Sequence, residues 1–184
     1  MKLESFRYLK ESRNYIFAIA ILEVSSIIIG WTFVNELSPF FHEIFHEIIR
    51  QYALKLAAEQ PVTWFDEILK IFIQNLKVSF LIEMILGAFL GIMPIVNTIW
   101  NGTLIGYVLR LATMKGIWFP LFHAPFELTA IWISAGLGLK LGATICIEKN
   151  FWKTLLYRLI HSAVIFLTIP IPLLAVAAII EVTV

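Results

Sequence analysis

Apolar residues run almost without interruption from Tyr15 to Val34, and the same density returns over Val78 to Pro94, Ile95 to Thr113, Pro125 to Cys146 and Leu156 to Ile180. Each run falls within the about 17–25 residues that a helix needs to cross roughly 30 Å of hydrocarbon at about 1.5 Å per residue. The first continues through Ile27, Ile28, Ile29 and Trp31 with no small-residue cleavage pattern, so it is expected to be a retained span rather than a signal peptide. Between the first two runs, Asn35 to Lys77 has a different texture. Phe41, Ile44, Phe45, Ile48 and Tyr52 recur at helical spacing, with Glu43, Glu47 and Arg50 opposite, and Pro39 suits the first turn of such a helix. Pro61 then interrupts the chain, and Thr63 can cap a second amphipathic helix with an apolar stripe of Trp64, Ile68, Phe72 and Leu76. The pattern predicts an all-α, polytopic membrane helix bundle, with about five transmembrane helices and two amphipathic interfacial helices on the outer side. It reads as a single membrane domain over 1–184: an N-terminal segment 1–14, an outer amphipathic segment 35–77 and a glycine-rich helical core 78–184.

The core's glycines are not scattered. Six of the nine fall into GxxxG pairs, Gly87 with Gly91, Gly102 with Gly106 and Gly138 with Gly142. Glycine inside a soluble helix costs about 1 kcal/mol relative to alanine. In lipid it lets helix backbones approach closely, so these pairs are expected to mark helix-packing faces within the bundle or between copies.

Composition agrees with the pattern: 60% hydrophobic and 15% charged residues, with a mean hydropathy of +0.86, do not suit a small water-soluble core. A net charge of +1 and the lack of like-charge runs give no attraction to nucleic acid. Cys146 is the single cysteine, which excludes an intramolecular disulfide and a cysteine-only metal cage. Lys2, Arg7, Lys10 and Arg13 precede the first span, and Lys140, Lys149, Lys153 and Arg158 flank the connection between spans four and five. These basic clusters predict a multi-pass plasma-membrane protein with a cytoplasmic N-terminus and, after five crossings, an outer C-terminus.

Polar groups at membrane depth are the natural candidates for function, because an ionisable side chain there costs several kcal/mol unless it is paired or hydrated. Glu23, Glu83, Asn97, Asn101, His123, Glu127 and His161 qualify. His123 and Glu127 share a helix face if the fourth helix begins near Pro125. They make either a structural hydrogen-bonded pair or a proton-responsive or ligand-binding pair, and Asn101 can bridge helices through its amide. His42-Glu43-Ile44-Phe45-His46 matches H-E-x-x-H, which in zinc hydrolases places two imidazoles on the metal and a glutamate beside its water. His42 and His46 are therefore candidate zinc ligands, and Glu43 a candidate general base. The helical wheel turns Glu43 toward the polar face, away from the histidines, and no third ligand follows nearby. The expectation is a protein without a cofactor, with zinc as the alternative.

The second half of the chain resembles the stage II sporulation protein M family of membrane proteins. The resemblance rests on Gly87-Ala-Phe-Leu-Gly91-Ile-Met-Pro94, Asn101-Gly102-Thr-Leu-Ile-Gly106, His123-Ala-Pro-Phe-Glu127-Leu-Thr-Ala130 with Gly136, Gly138 and Gly142 after it, and Ala177-Ala178-Ile-Ile-Glu181. It covers about Phe72 to the C-terminus. The family's fourth-span motif reads H-G-x-x-E, and Ala124 stands here at the glycine position. The resemblance implies an all-helical polytopic membrane protein with no established enzymatic activity of its own, whose sporulating relatives act as a membrane component of a cell-wall remodelling machine. The H-E-x-x-H segment lies outside the matching motifs.

The expected function is a non-enzymatic membrane scaffold or adaptor. It would self-associate, as a dimer or larger homo-oligomer, and organise membrane or envelope-associated protein partners within the lipid bilayer. A small-solute or ion transporter using Asn101, His123 and Glu127 is the alternative, and a zinc hydrolase at the membrane surface the second.

Overall fold

The computed structural model describes residues 2–41, 43, 63–89, 91–114, 122–147 and 150–183. Every regular element among them is helical, and five helical stretches are long and apolar enough to cross a membrane. The predicted amphipathic helix over Phe40 to Tyr52 falls almost wholly outside the described residues, as do His42 and His46; so does the side chain of Cys146.

Helix α1, Lys2–Thr32, begins well before the first apolar run. The Phe33 amide donates to Ile29 and that of Leu37 to Phe33, so the helical path continues through 34–41. At about 1.5 Å per residue, α1 alone is roughly 46 Å long, more than the hydrocarbon requires. The basic N-terminal segment is thus the first turns of a packed helix, with Ser5, Tyr8 and Ser12 buried.

Thr63 caps α2, Trp64–Lys77, as its position suggests: its hydroxyl accepts from the Asp66 amide at 3.2 Å, and Asp66 Oδ2 accepts from the Thr63 amide at 3.3 Å. α2 is not a separate interfacial helix, however. It runs directly into a π-helical stretch, Val78–Ile85, and a 3₁₀ turn, Leu86–Ala88, giving one crossing element, Trp64–Ala88, of 25 residues. Asp66, Glu67, Lys70 and Lys77 gave α2 the texture of a surface helix, while its continuity with the apolar run makes it the first half of span two. The span ends earlier than the hydropathy suggests. Gly91 occupies the left-handed region at φ 70°, and α3, Ile92–Met114, starts there with Pro94 in its first turn, where a missing amide proton costs nothing. Gly87 and Gly91 consequently do not form a one-helix GxxxG face.

Helix α4, Ala124–Ile147, is followed by α5, Phe151–Thr168, and α6, Pro170–Thr183, which together form the fifth span. Pro170 and Pro172 lack amide donors, and Ile169 at φ −123°, ψ −64° breaks the helix between α5 and α6.

α4 is the axis of the bundle. It is by far the most buried of the five long apolar stretches. It packs on α1, the π-helical stretch, α5 and α6, while α1 makes its most extensive contact with α3. Glycines set the closest approaches. A Cβ on Gly106 would collide with the Ile27 carbonyl, one on Gly30 with the Thr103 carbonyl, and one on Gly138 with the Glu83 carbonyl. A Cβ on Gly102 would lie 2.7 Å from the Glu23 carbonyl, and one on Gly87 2.8 Å from Gly138 Cα. The Gly102/Gly106 face therefore receives α1, and Gly138 receives span two, all within one chain; Gly142 is also buried. Helix pairs in lipid gain from this close packing rather than from hydrophobic expulsion.

Candidate functional site: a polar spine along the central helix

Helix α4 carries polar side chains at its start, middle and end, and each level meets polar groups from other helices. At mid-depth, Glu23 of α1 accepts from Asn101 Nδ2 of α3 at 2.9 Å through Oε1, and from Trp132 Nε1 of α4 at 2.7 Å through Oε2. Nearby, Glu83 of the π-helical stretch accepts from Asn97 Nδ2 at 2.5 Å through Oε1. Both carboxylates are 0% exposed, and the groups hydrogen-bonded to them are neutral. Glu23 lies within electrostatic reach of Glu83 and of Glu127.

The glycines make this geometry possible. Gly102 sits against the carbonyl of Glu23, and Gly138 against that of Glu83. α1 therefore comes near enough to α3 for the neighbouring Asn101 to reach Glu23. A buried carboxylate held by hydrogen bonds alone is stabilised by them but keeps its need for positive charge.

At the start of α4, His123 Nε2 stands 3.9 Å from Glu127 Oε2, one turn on, an ion pair only when the imidazole is protonated. Glu181, near the end of α6, joins them, so that one ligand atom from each of the three lies within 4.8 Å of the others. This is a histidine–carboxylate set of the kind that can hold a cation. Whether it communicates with His42 and His46 lies outside the described residues.

At the other end, Lys140 Nζ donates to Ser12 Oγ at 3.1 Å and lies 3.7 Å from the Tyr8 ring centroid and 4.0 Å from Glu11 Oε2. Arg158 Nη1 donates to the Lys140 carbonyl at 3.0 Å and to Thr144 Oγ1 at 3.1 Å. His161 meets Ser5 Oγ through Nδ1 at 2.9 Å, and its ring packs on Tyr157. This level is fully knit together, which suits a structural clasp between α1, α4 and α5.

Three buried side-chain oxygens lack a hydrogen-bond partner among the described residues: Ser79 Oγ, Glu83 Oε2 and Thr98 Oγ1. Several other buried hydroxyls donate to the carbonyl four residues earlier, Ser12 to Tyr8 at 2.7 Å and Ser134 to Ala130 at 2.8 Å. Ser79 does not take that ready acceptor.

Residues 18–184 match the stage II sporulation protein M family. The chain belongs to that family. No curated protein and no solved structure matches it. The match begins inside α1 and includes all of the mid-depth carboxylates and the His123, Glu127 and Glu181 set. For this member of the stage II sporulation protein M family, the structure brings Asn97 to Glu83 and Asn101 to Glu23, and His123 to Glu127, but leaves the two asparagine pairs distinct from the histidine pair. Trp132, Lys140 and Tyr8 were not legible as site residues. Trp132 looks like any lipid-facing aromatic, and Lys140 like a loop charge, until α1 is packed against α4. Glu181 was visible only as part of a family motif.

Proposed function

We propose that this protein handles a cation inside the membrane, as a transporter or channel of the small-solute class, rather than acting as an enzyme. The observation that supports this reading is the burial of Glu23 and Glu83 inside the helix bundle with neutral hydrogen-bond donors. A carboxylate buried in a membrane bundle without a cationic partner is neutralised by a proton or a metal cation, and such groups mark ion pathways and proton relays. The non-α backbone of span two beside Glu83 adds weight, since irregular helices at membrane depth commonly border ion sites. His123, Glu127 and Glu181 would receive the cation at the outer end, with the N-terminus in the cytoplasm. The test is flux in proteoliposomes loaded with pH- and sodium-sensitive dyes. Parent protein is expected to pass a cation down its gradient, and Glu23→Gln and Glu83→Gln to abolish the passage; equal leak in parent, variants and empty vesicles would refute it.

A second reading follows from family membership. The name of the family points to sporulation, and an adaptor role would have the bundle organise envelope-associated protein partners or further copies of itself. The glycine faces Gly102/Gly106 and Gly138 are occupied within the chain, so such contacts would use other surfaces. Crosslinking in native membranes followed by mass spectrometry separates the readings: a defined partner or a homo-oligomer with no flux favours the adaptor.

A further inference from the structure

Two helices far apart in sequence bring three metal-ligating side chains to one end of the bundle. The Glu127 amide donates to the His123 carbonyl at 3.1 Å, which sets these two side chains one turn apart on one face at the start of α4. Glu181 reaches them from the last turn of α6. One ligand atom from each residue lies within 4.8 Å of the other two, so a point within about 2.8 Å of all three exists. Bonds from zinc to a histidine nitrogen or a carboxylate oxygen are about 2.0–2.2 Å, and small side-chain rotations close that gap. His123 Nε2 and Glu127 Oε2, at 3.9 Å, are too far apart for a hydrogen bond and near the roughly 3.4 Å that separates two ligands of one tetrahedral ion. Among the described residues no lysine, arginine or side-chain hydrogen bond reaches either carboxylate.

We propose that His123, Glu127 and Glu181 together bind one divalent transition-metal ion of the zinc class, which ties the start of α4 to the end of α6. The inference deepens the cation-handling reading above, and rests on it for the role of the ion, by naming the ion that this site takes. The donor set selects the class. Imidazole suits zinc and its neighbours, whereas magnesium and calcium take oxygen ligands. Two positive charges neutralise both carboxylates. A protonated His123 would answer Glu127 and leave Glu181 facing another anion. The His123 and Glu127 side chains are 21% and 26% exposed and Glu181 is more open, so water reaches the site. It can therefore complete the coordination that three protein ligands leave unfilled.

The experiment uses the full chain in nanodiscs, stripped with EDTA and dialysed free of it. Zinc content is read by elemental analysis and affinity by competition with a chromogenic chelator. Cobalt(II) put in place of zinc reports nitrogen and oxygen ligation through its visible absorption. The parent is expected to bind one zinc ion per chain, to gain thermal stability with it, and to ignore magnesium and calcium at the same concentration. His123→Ala and Glu181→Gln should each weaken zinc binding by about a hundredfold, since even outer-shell partners of a metal are worth about 10–100-fold. Glu181 is exposed, so its replacement spares the packed core and still decides if His123→Ala does not fold. No zinc above the empty-nanodisc blank, or equal affinity in parent and Glu181→Gln, would overturn the assignment. Zinc lost on His46→Ala but kept on His123→Ala would also overturn it and give the ion to the H-E-x-x-H segment; loss on both would uphold it, with His46 as a further ligand. Stabilisation by magnesium or calcium in place of zinc would overturn the ion class. Zinc held without cation flux in proteoliposomes would uphold this site and sink the transport reading; cation flux with no zinc bound would do the reverse.

Discussion

Gly102→Ala tests whether glycine contacts set the geometry of the mid-depth carboxylates. The added methyl would lie 2.7 Å from the Glu23 carbonyl and 2.8 Å from Ser26 Cβ, where ordinary contact begins at 3.4 Å. Neither neighbour is the free end of a long side chain, so α1 must withdraw from α3 by about 0.7 Å. The Asn101 to Glu23 hydrogen bond, now 2.9 Å, would lengthen to about 3.6 Å, outside bonding range. Overpacking a tight contact costs about 1–3 kcal/mol, and an interhelical hydrogen bond in lipid about 0.6 kcal/mol. The expected loss is about 2–4 kcal/mol, read by reversible unfolding in mixed micelles titrated with sodium dodecyl sulfate. The coupling is a sharper check than the magnitude. If the methyl has already broken the Asn101 bond, Asn101→Ala should cost less in the Gly102→Ala background than in the parent. A Gly102→Ala protein within about 0.5 kcal/mol of the parent, or strictly additive effects of the two changes, would refute the reasoning.

Trp132→Phe keeps an aromatic ring but removes the Nε1 donor at 2.7 Å, leaving Glu23 Oε2 without it; a loss of about 1–3 kcal/mol is expected in the same unfolding assay, and a silent substitution would count against the network. Gly91→Ala should cost about 1–2 kcal/mol because its φ of 70° is unfavourable for a residue with a Cβ, and Gly91→Asn should cost less; equal losses would place the penalty in the contact with Leu139 instead. Lys140→Met should destabilise by about 1–3 kcal/mol through loss of the Ser12 bond and the Tyr8 ring contact. Because Lys140 is buried, 1 M salt should not mimic that loss, and a parent protein destabilised equally by salt would argue for a surface interaction.

The hydropathy pattern alone pointed to an all-helical membrane bundle with five stretches able to cross, while the family was legible from its residue motifs. The physical reason is that lipid satisfies no backbone hydrogen bonds, so a sufficiently long apolar run has few options besides a helix. Capping at Thr63 was legible for a similar reason: it depends on residues three apart. The asparagines were recognisable as interhelical bridges in kind, because an amide at membrane depth needs a partner, but no sequence rule says that Asn101 meets Glu23 or that Asn97 meets Glu83. Those pairings span 78 and 14 residues and depend on how closely glycines let particular helices approach. Tertiary packing also decided that Gly102/Gly106 and Gly138 serve contacts within the chain, and that the basic N-terminal segment is part of α1. It turned Trp64 to Lys77 from an expected surface helix into the start of span two, since its charges describe one helix face and its continuity with Val78–Ile85 is a property of the backbone. The orphaned oxygens at Ser79 and Glu83 belong to the same class of fact. A serine four residues before a glutamate is ordinary in sequence, and only burial in the packed bundle leaves Ser79 Oγ and Glu83 Oε2 without a hydrogen-bond partner among the described residues.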